Sequence, residues 1–528
     1  MKSASKQVWK PGALLLSLVL AIVLVVSGCS SNNNNSSTPE ESPSETPSAS
    51  STPTASPAAN PGADTSEFVT LQWYMLKPID NETNQEAVEK AANEIIKKAI
   101  NAEVHFNFID SASWEQKMSL MASTGAEYDL VFSANWSNKL TTNVAAGAFL
   151  PLDELLEKNG QDIRAKNDPR AWPAVTFDGK IMAIPGQTPY AQPTSWVFKK
   201  DLLIKHGFDN TKVTGLKDLE PYLETIKKNE PGITPLLVTG NNAAVSLSLP
   251  RYTSVAPSIS YDEETGKLVQ GLDQPENIDN LRTMYEFYQK GYVAKDAAIK
   301  TDYMAEAKSG RYAVLRDAGG YTADGSKSTA LYGFETAETM AHQPLISTGT
   351  LTGATTAISR TSKHPERAMM LLNLIWKDPV LLNTLAYGIA GQDYQITAGE
   401  GTDNPTIVAN SGAEQKWAIW HNWLGPLWDQ WDSNWNTKAA LQQMQETNKT
   451  AKASALLGFT FNQEPVKAEI AQLNAVAKEV NPVLFTGSMS NFDEYIEQAK
   501  KKYKDAGIDK VTAEVQRQIH EWKAANAK

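Results

Sequence analysis

Between Phe68 and Phe132 the apolar residues change their period four times, and this alternation restricts the fold more than any other feature of the chain. Residues 68–76, Phe-Val-Thr-Leu-Gln-Trp-Tyr-Met-Leu, form a β-rich run. Residues 83–100 then place Val88, Ala91, Ala92, Ile95 and Ala99 on one helical face. Val104, Phe106 and Phe108 alternate with His105 and Asn107 as a second strand. Ser113 is set to cap a helix, with Gln116 returning the bond. Gly125 closes that helix, and residues 128–132 make a third strand. Strands alternating with helices in this way predict a parallel α/β sheet with right-handed crossovers.

A second region repeats the alternation. Residues 180–185 and 195–198 read as strands, 199–207 as a short helix closed by Gly207. Leu219, Tyr222, Leu223 and Ile226 mark the next helix, and 233–238 the next strand. Asp378-Pro379 puts a capping acid before a proline at the first helical position. The rest of the chain is helix-rich and no internal repeat is visible. At 528 residues, two or more cores are expected. The predicted class is α/β with a helical C-terminal third.

The N-terminus follows other rules. Lys2, Lys6 and Lys10 precede an almost unbroken apolar run at 13–26, the n-region and h-region of a signal peptide. The run is short for a span of ~20 residues, and Val26-Ser27-Gly28-Cys29 follows at once. This resembles a bacterial lipobox, which implies a leader over residues 1–28, cleavage before Cys29 and a diacylglyceryl thioether on that cysteine. A lipid-anchored chain is held at the membrane without spanning it. Residues 29–66 continue as Ser, Asn, Thr, Pro and Ala, too poor in large apolar side chains to offset ordering entropy. At about 5–6 Å × √n such a tract reaches roughly 30–40 Å and reads as a disordered tether.

Several function classes lose support. The net charge is −11, and loss of the three leader lysines leaves −14, which disfavours nucleic acid. A lone cysteine makes no intrachain disulfide and no thiolate zinc cluster. The six histidines, at 105, 206, 342, 364, 421 and 520, include no pair at three- or four-residue spacing. There is no G-x-x-x-x-G-K-[ST], G-x-G-x-x-G or G-x-S-x-G. Glu263-Glu264, in Tyr-Asp-Glu-Glu-Thr-Gly, reads as a polar turn rather than an acid and base facing a glycosidic bond. Tryptophan is in surplus: of fourteen, six lie between 417 and 435. Trp417, Trp420, Trp428, Trp431 and Trp435 follow helical spacing with Leu424, which favours packing. Single aromatics beside amides are consistent with sugar, whose C–H faces lie on rings while its hydroxyls need amide partners.

Taken in order, several segments resemble the extracellular solute-binding proteins of family 1, the maltose-binding-protein-like carbohydrate receptors of ABC importers. They are Tyr-Asp-Leu-Val-Phe at 128–132, Ala-Ala-Gly-Ala-Phe-Leu-Pro-Leu-Asp at 145–153, Asp-Gly-Lys-Ile-Met-Ala-Ile-Pro at 178–185 and Trp-Val-Phe-Lys-Lys-Asp-Leu-Leu at 196–203. Gly-Arg-Tyr-Ala-Val at 310–314 and His-Pro-Glu-Arg-Ala at 364–368 complete the pattern. The family often has an aromatic at the position of Met182. The segments at 386–394, 458–462 and 506–511, with Gln-Ile-His-Glu-Trp at 518–522, look like the extra C-terminal domain of LipO-type lipoproteins.

The resemblance implies a two-lobed, hinged, periplasmic-binding-protein-like type II fold with no cofactor and no metal. It puts lobe 1 at 67–187 and about 344–395, lobe 2 at 188–343 with part of 396–528, and the LipO-type region at about 386–528. With ligands at the carboxyl ends of strands, the candidate site residues are Lys77, Asp110, Trp114, Asn135 and Trp136 in the first lobe. In the second they are Asn241, Asn242, Asp317 and Tyr321, with Tyr190 and Trp196 near the interlobe crossing. The expected protein is a monomer on the extracellular face of the cell membrane, anchored at Cys29, handing an oligosaccharide to ABC permease subunits. The alternative is a surface-anchored glycoside hydrolase, disfavoured because no acid/base constellation is visible.

Overall fold

The computed structural model describes residues 64–526 apart from Asn81, Gln192, 241–250, 318–320 and 342–344. Cys29, the leader and most of the proposed tether lie outside the described residues, which belong to one compact unit.

The predicted first strand is Val69–Leu76, with Val69, Leu71, Trp73 and Met75 turned inward by the two-residue period. Ala102–Ile109 and Leu130–Ser133 flank it, both parallel, so that Trp73 lies opposite Phe106 and Leu130. Thr355–Ile358 runs antiparallel to Leu130–Ser133, and Ile184–Pro185 antiparallel to Thr355–Ile358. The helix Gln85–Ile100 buries Val88, Ala92, Ile96 and Ile100. Its inner line is therefore a straight i, i+4 stripe; of the predicted face, Ala91 and Ile95 are half-buried and Ala99 is exposed. The next helix, Ser111–Thr124, starts at Asp110 rather than Ser113 and ends at Gly125, whose φ of 68° suits glycine. Ser113 lies inside the first turn, where its hydroxyl donates to Asp110 O at 3.3 Å.

The second sheet has the order Thr336–Met340, Ser195–Lys199, Tyr312–Asp317, Thr234–Leu236. Tyr312–Asp317 is parallel to Thr234–Leu236, and the other two pairings are antiparallel. The three strands from 69–133 are parallel, as expected; the antiparallel pairings in both sheets involve strands next to the crossings between lobes, so each complete sheet is mixed. The period of a strand says nothing about which lobe its chain has just left.

Each sheet has its own core. The first gathers residues from 69–184, 354–386 and 417–424, and the second from 196–341 and 456–519. The helices Lys467–Thr486, Phe492–Asp505 and Ile508–Asn526 send Leu473, Ile496 and Val515 into the second core, so the C-terminal end is built onto that lobe.

The tryptophan-rich stretch is not the helix its spacing suggested. Only His421–Leu424 is α-helical, Gly425 turns the chain at φ 125°, Pro426 prevents continuation, and a single 3-10 turn follows at Leu427–Asp429. A Cβ on Gly425 would come 2.4 Å from Trp376 Nε1. The rings still pack: Trp417 sits in the first core, Trp423 lies 4.5 Å from Phe132, and Trp431 stacks near Tyr387.

Candidate ligand-binding cleft

A cleft of about 730 Å³ opens where both crossings, the two lobes and the start of the C-terminal end meet. Its first-lobe wall is Asn135, two residues after Leu130–Ser133. The Asn135 amide donates to Gly349 O at 3.1 Å and its backbone N–H to Thr352 O at 2.8 Å. Trp136 Nε1 donates to Gly353 O at 2.8 Å. The crossing Ser347–Gly353 is thus stitched to the loop it passes, and a short helix, Thr348–Leu351, is capped within it by Ser347 and Thr350.

The other crossing supplies Thr188, Pro189 and Tyr190. It enters through Gly186, where a Cβ would lie 2.1 Å from Asn422 O, so only glycine allows this approach. Asn448, at the end of the helix Lys438–Thr450, donates to Thr188 O at 2.8 Å and accepts from Ala191 N at 3.1 Å. Arg170 pairs with Asp168 at 2.7 Å and also donates to Asn448 O. Burial pushes the Tyr190 phenol above its ordinary range, so it stays neutral.

The second lobe adds Thr253, Ser254 and Val255. Glu263 fixes this edge, accepting from Thr253 Oγ1 at 2.5 Å, Ser454 Oγ at 2.5 Å and Ala455 N at 2.8 Å. The carboxylate of the predicted polar turn therefore has a structural task. The last wall is Leu456, Phe459, Thr460 and Phe461.

The described lining includes no Asp, Glu, Lys, Arg or His. It is made of hydroxyls, two side-chain amides, aromatic rings and aliphatic side chains such as Leu140, Val255, Leu345 and Leu456. Such a surface offers many neutral donors and acceptors and no net field.

The expected site residues distribute unevenly over this geometry. Asn135 and Tyr190 line the cleft, and Trp136, 54% exposed, is outside the lining and adjoins it through its bond to the lining residue Gly353. Lys77 and Asp110 lie off the cleft, paired with each other at 3.7 Å. Trp114 and Trp196, at 1% and 2% exposure, are core residues of the first and second lobes, so neither presents a face to the cleft. They stand beside strand ends but their rings turn into the sheet–helix interface. Tyr321 is half-buried and does not line the cleft. Asn241 and Asn242 lie outside the described residues, and Asp317 is placed by its backbone only, opposite Ser195. Among the described residues no group of three His, Cys, Asp or Glu could hold a metal.

Residues that sequence reasoning missed come from the crossings, the C-terminal end and both lobes, where Thr141, Phe177 and Asn422 of the first and Thr253, Ser254 and Val255 of the second join the lining. The run Ser-Thr-Gly-Thr-Leu-Thr-Gly at 347–353 is dense in hydroxyls and glycine, a signal available in the sequence. Phe459–Phe461 carried no such signal as a site.

A fold of two α/β lobes with a neutral interlobe cleft defines a solute-binding protein. The chain belongs to the bacterial extracellular solute-binding protein family, whose pattern matches residues 80–376, more than half of its length. A domain of unknown function matches residues 455–524. The chain is 27% identical over 472 residues to a carbohydrate ABC transporter substrate-binding protein of Streptococcus pneumoniae serotype 4, covering 87% of this chain and 92% of that one. It is similar in structure to the N-glycan transport solute binding protein NgtS of Streptococcus pneumoniae, with 26% identity over 87% of this chain and all of the other and a TM-score of 0.76. The same relative in complex with Man1GlcNAc or Man5GlcNAc gives 0.67 and 0.65, at equal identity and nearly equal coverage.

Proposed function

We propose that this protein is the lipid-anchored, extracellular receptor of a carbohydrate ABC importer, which captures a neutral oligosaccharide between its lobes and delivers it to membrane permease subunits. The observation that carries the reading is the composition of the cleft: hydroxyls and amides with aromatic and aliphatic surface, and no Asp, Glu, Lys, Arg or His in the described lining. Sugar hydroxyls need such partners and sugar C–H faces need apolar surface. Mannose-containing glycans are the first candidates, since a relative of the same family was solved with Man1GlcNAc and Man5GlcNAc. Cys29, alone among the side chains, supplies the thiol for the anchor.

Hydrolysis is the competing reading. It requires two carboxyl groups flanking the scissile bond, about 5–9.5 Å apart, and the described lining offers neither.

Calorimetric titration of the protein with Man5GlcNAc and other neutral oligosaccharides tests both. The expected result is saturable binding with no release of reducing sugar, and an affinity that changes little up to ~0.5 M salt because neutral contacts are not screened. Reducing-sugar release would favour the enzyme, and an affinity that collapses with salt would point to a charged ligand.

A further inference from the structure

We propose that the C-terminal domain of unknown function forms one wall of the glycan cleft and thereby selects which oligosaccharides fit. The proposal rests on the oligosaccharide reading of the cleft. The match begins at residue 455, and Leu456, Phe459, Thr460 and Phe461 line the cleft. The helices that follow bury their apolar faces in the second lobe. The domain is therefore a buttress for the lobe with its leading segment turned toward the ligand.

That leading segment has no strand or helix of its own between residues 454 and 463, and its only local backbone bonds among those described are two turn contacts, Leu457 N to Ser454 O at 3.1 Å and Phe459 N to Leu456 O at 2.9 Å. It is held by side chains from four directions. Glu263 of the second lobe grips Ser454 and Ala455. In the interlobe crossing, Thr348 Oγ1 donates to Leu456 O at 3.2 Å and accepts from Gly458 N at 2.9 Å. On the first lobe, Pro173 lies so close to Gly458 that a Cβ there would sit 3.2 Å from it. From the terminal helix, Gln518 donates to Asn462 O at 2.8 Å and accepts from Asn462 N at 2.9 Å, while Trp522 meets Phe459 edge-on at 5.8 Å.

Loops held this firmly by a scaffold are where recognition residues concentrate. Apart from Ser454 Oγ, the bonds engage backbone atoms; Phe459 and Phe461, at 8% and 9% exposure, are rooted in the second core and border the cleft together with Thr460. A sugar ring in the cleft would have aromatic edges on this side and the hydroxyls of Ser347, Thr348 and Thr350 on the crossing. Gln518 and Trp522, outside the cleft, are positioning residues.

The test is titration of the full mature protein with Man1GlcNAc, Man5GlcNAc and a panel of neutral oligosaccharides. Phe461→Ala should weaken the best ligand by about tenfold or more, as loss of an interface anchor does. Thr460→Val keeps the shape, and should shift the affinity ratio between ligands by about fivefold, the worth of one hydrogen bond. Gln518→Ala should move affinity in the same direction without touching the cleft. In the unaltered protein, saturating ligand should slow amide hydrogen exchange in residues 456–462. If Phe461→Ala fails to fold, Thr460→Val and the exchange measurement decide. Should the protein bind a glycan, and Asn135→Ala weaken it, while Thr460→Val and Phe461→Ala keep the original affinity and ranking, this proposal is overturned and the receptor reading stands. Absence of any glycan binding would overturn both.

Discussion

The indole N–H of Trp136 donates to the carbonyl oxygen of Gly353 at 2.8 Å, joining the loop after a first-lobe strand to a crossing 217 residues further along the chain. The bond ties the ring to Gly353, a residue of the cleft lining, while leaving 54% of the tryptophan exposed. Trp114, 22 positions earlier, is at 1%. Two tryptophans that look alike in sequence thus have different surroundings and different expected phenotypes.

Trp136→Ala should cost on the order of 1–3 kcal/mol of glycan binding with little change in melting temperature. Trp114→Ala should instead cost about 3–5 kcal/mol of stability through the cavity it leaves. Paired calorimetry and thermal unfolding check this; a Trp114→Ala protein of normal stability and lost affinity would reverse the assignment.

Ligand should bring the lobes together. The cleft takes lining residues from both lobes, Asn135 on one side and Thr253 on the other, so a ligand held there touches each. The radius of gyration from small-angle scattering should fall on addition of saturating glycan, as hinge closure requires. An unchanged radius at saturation would sink the closing mechanism.

His421 makes stability depend on pH. It is buried, and desolvation lowers its pKa from 6.5 to about 3. Its Nε2 lies 3.0 Å from Asn383 Oδ1, an oxygen that also accepts from Trp431 N at 3.0 Å, so Nε2 carries the proton of a neutral ring. The unfolded chain takes up a proton near pH 6.5 that the folded chain refuses. The contribution is complete above that pH and is lost on acidification from about 6.5 toward about 3, by up to about 1.4 kcal/mol per pH unit. Denaturation at pH 7 and pH 5 should show the loss, and His421→Asn should flatten the slope. Equal slopes in both proteins would exclude this source.

Cys29→Ser should release the protein from the membrane fraction or leave it as an uncleaved precursor, because no other residue can form the thioether. Membrane fractionation with mass determination reads both outcomes. A mutant bound as firmly and cleaved at the same site would exclude lipidation at Cys29.

Periodicity in the sequence by itself determined the local elements. The inward Val69, Leu71, Trp73 and Met75, the glycine stop at Gly125 and the Asp378 cap, which accepts from Val380 N and Leu381 N, all follow from interactions a few residues apart. The segments at 128–132 and 178–185 carried the family, because their order along the chain is itself sequence information. Tertiary structure alone decided which of these residues face a ligand. Trp136, in the loop after a strand, is exposed beside the cleft lining and Trp114, in the first turn of a helix after a strand, is not, because local backbone sets neither ring's surroundings and only packing against the first core decides. The cleft walls come from Asn135, Tyr190, Thr253, Thr350 and Phe461, which are remote in sequence and come together only when two crossings and the C-terminal end converge. The helical spacing of the tryptophans at 417–435 gave way for the same reason: Gly425 must pass Trp376 at a distance no side chain allows, and that constraint exists only in three dimensions.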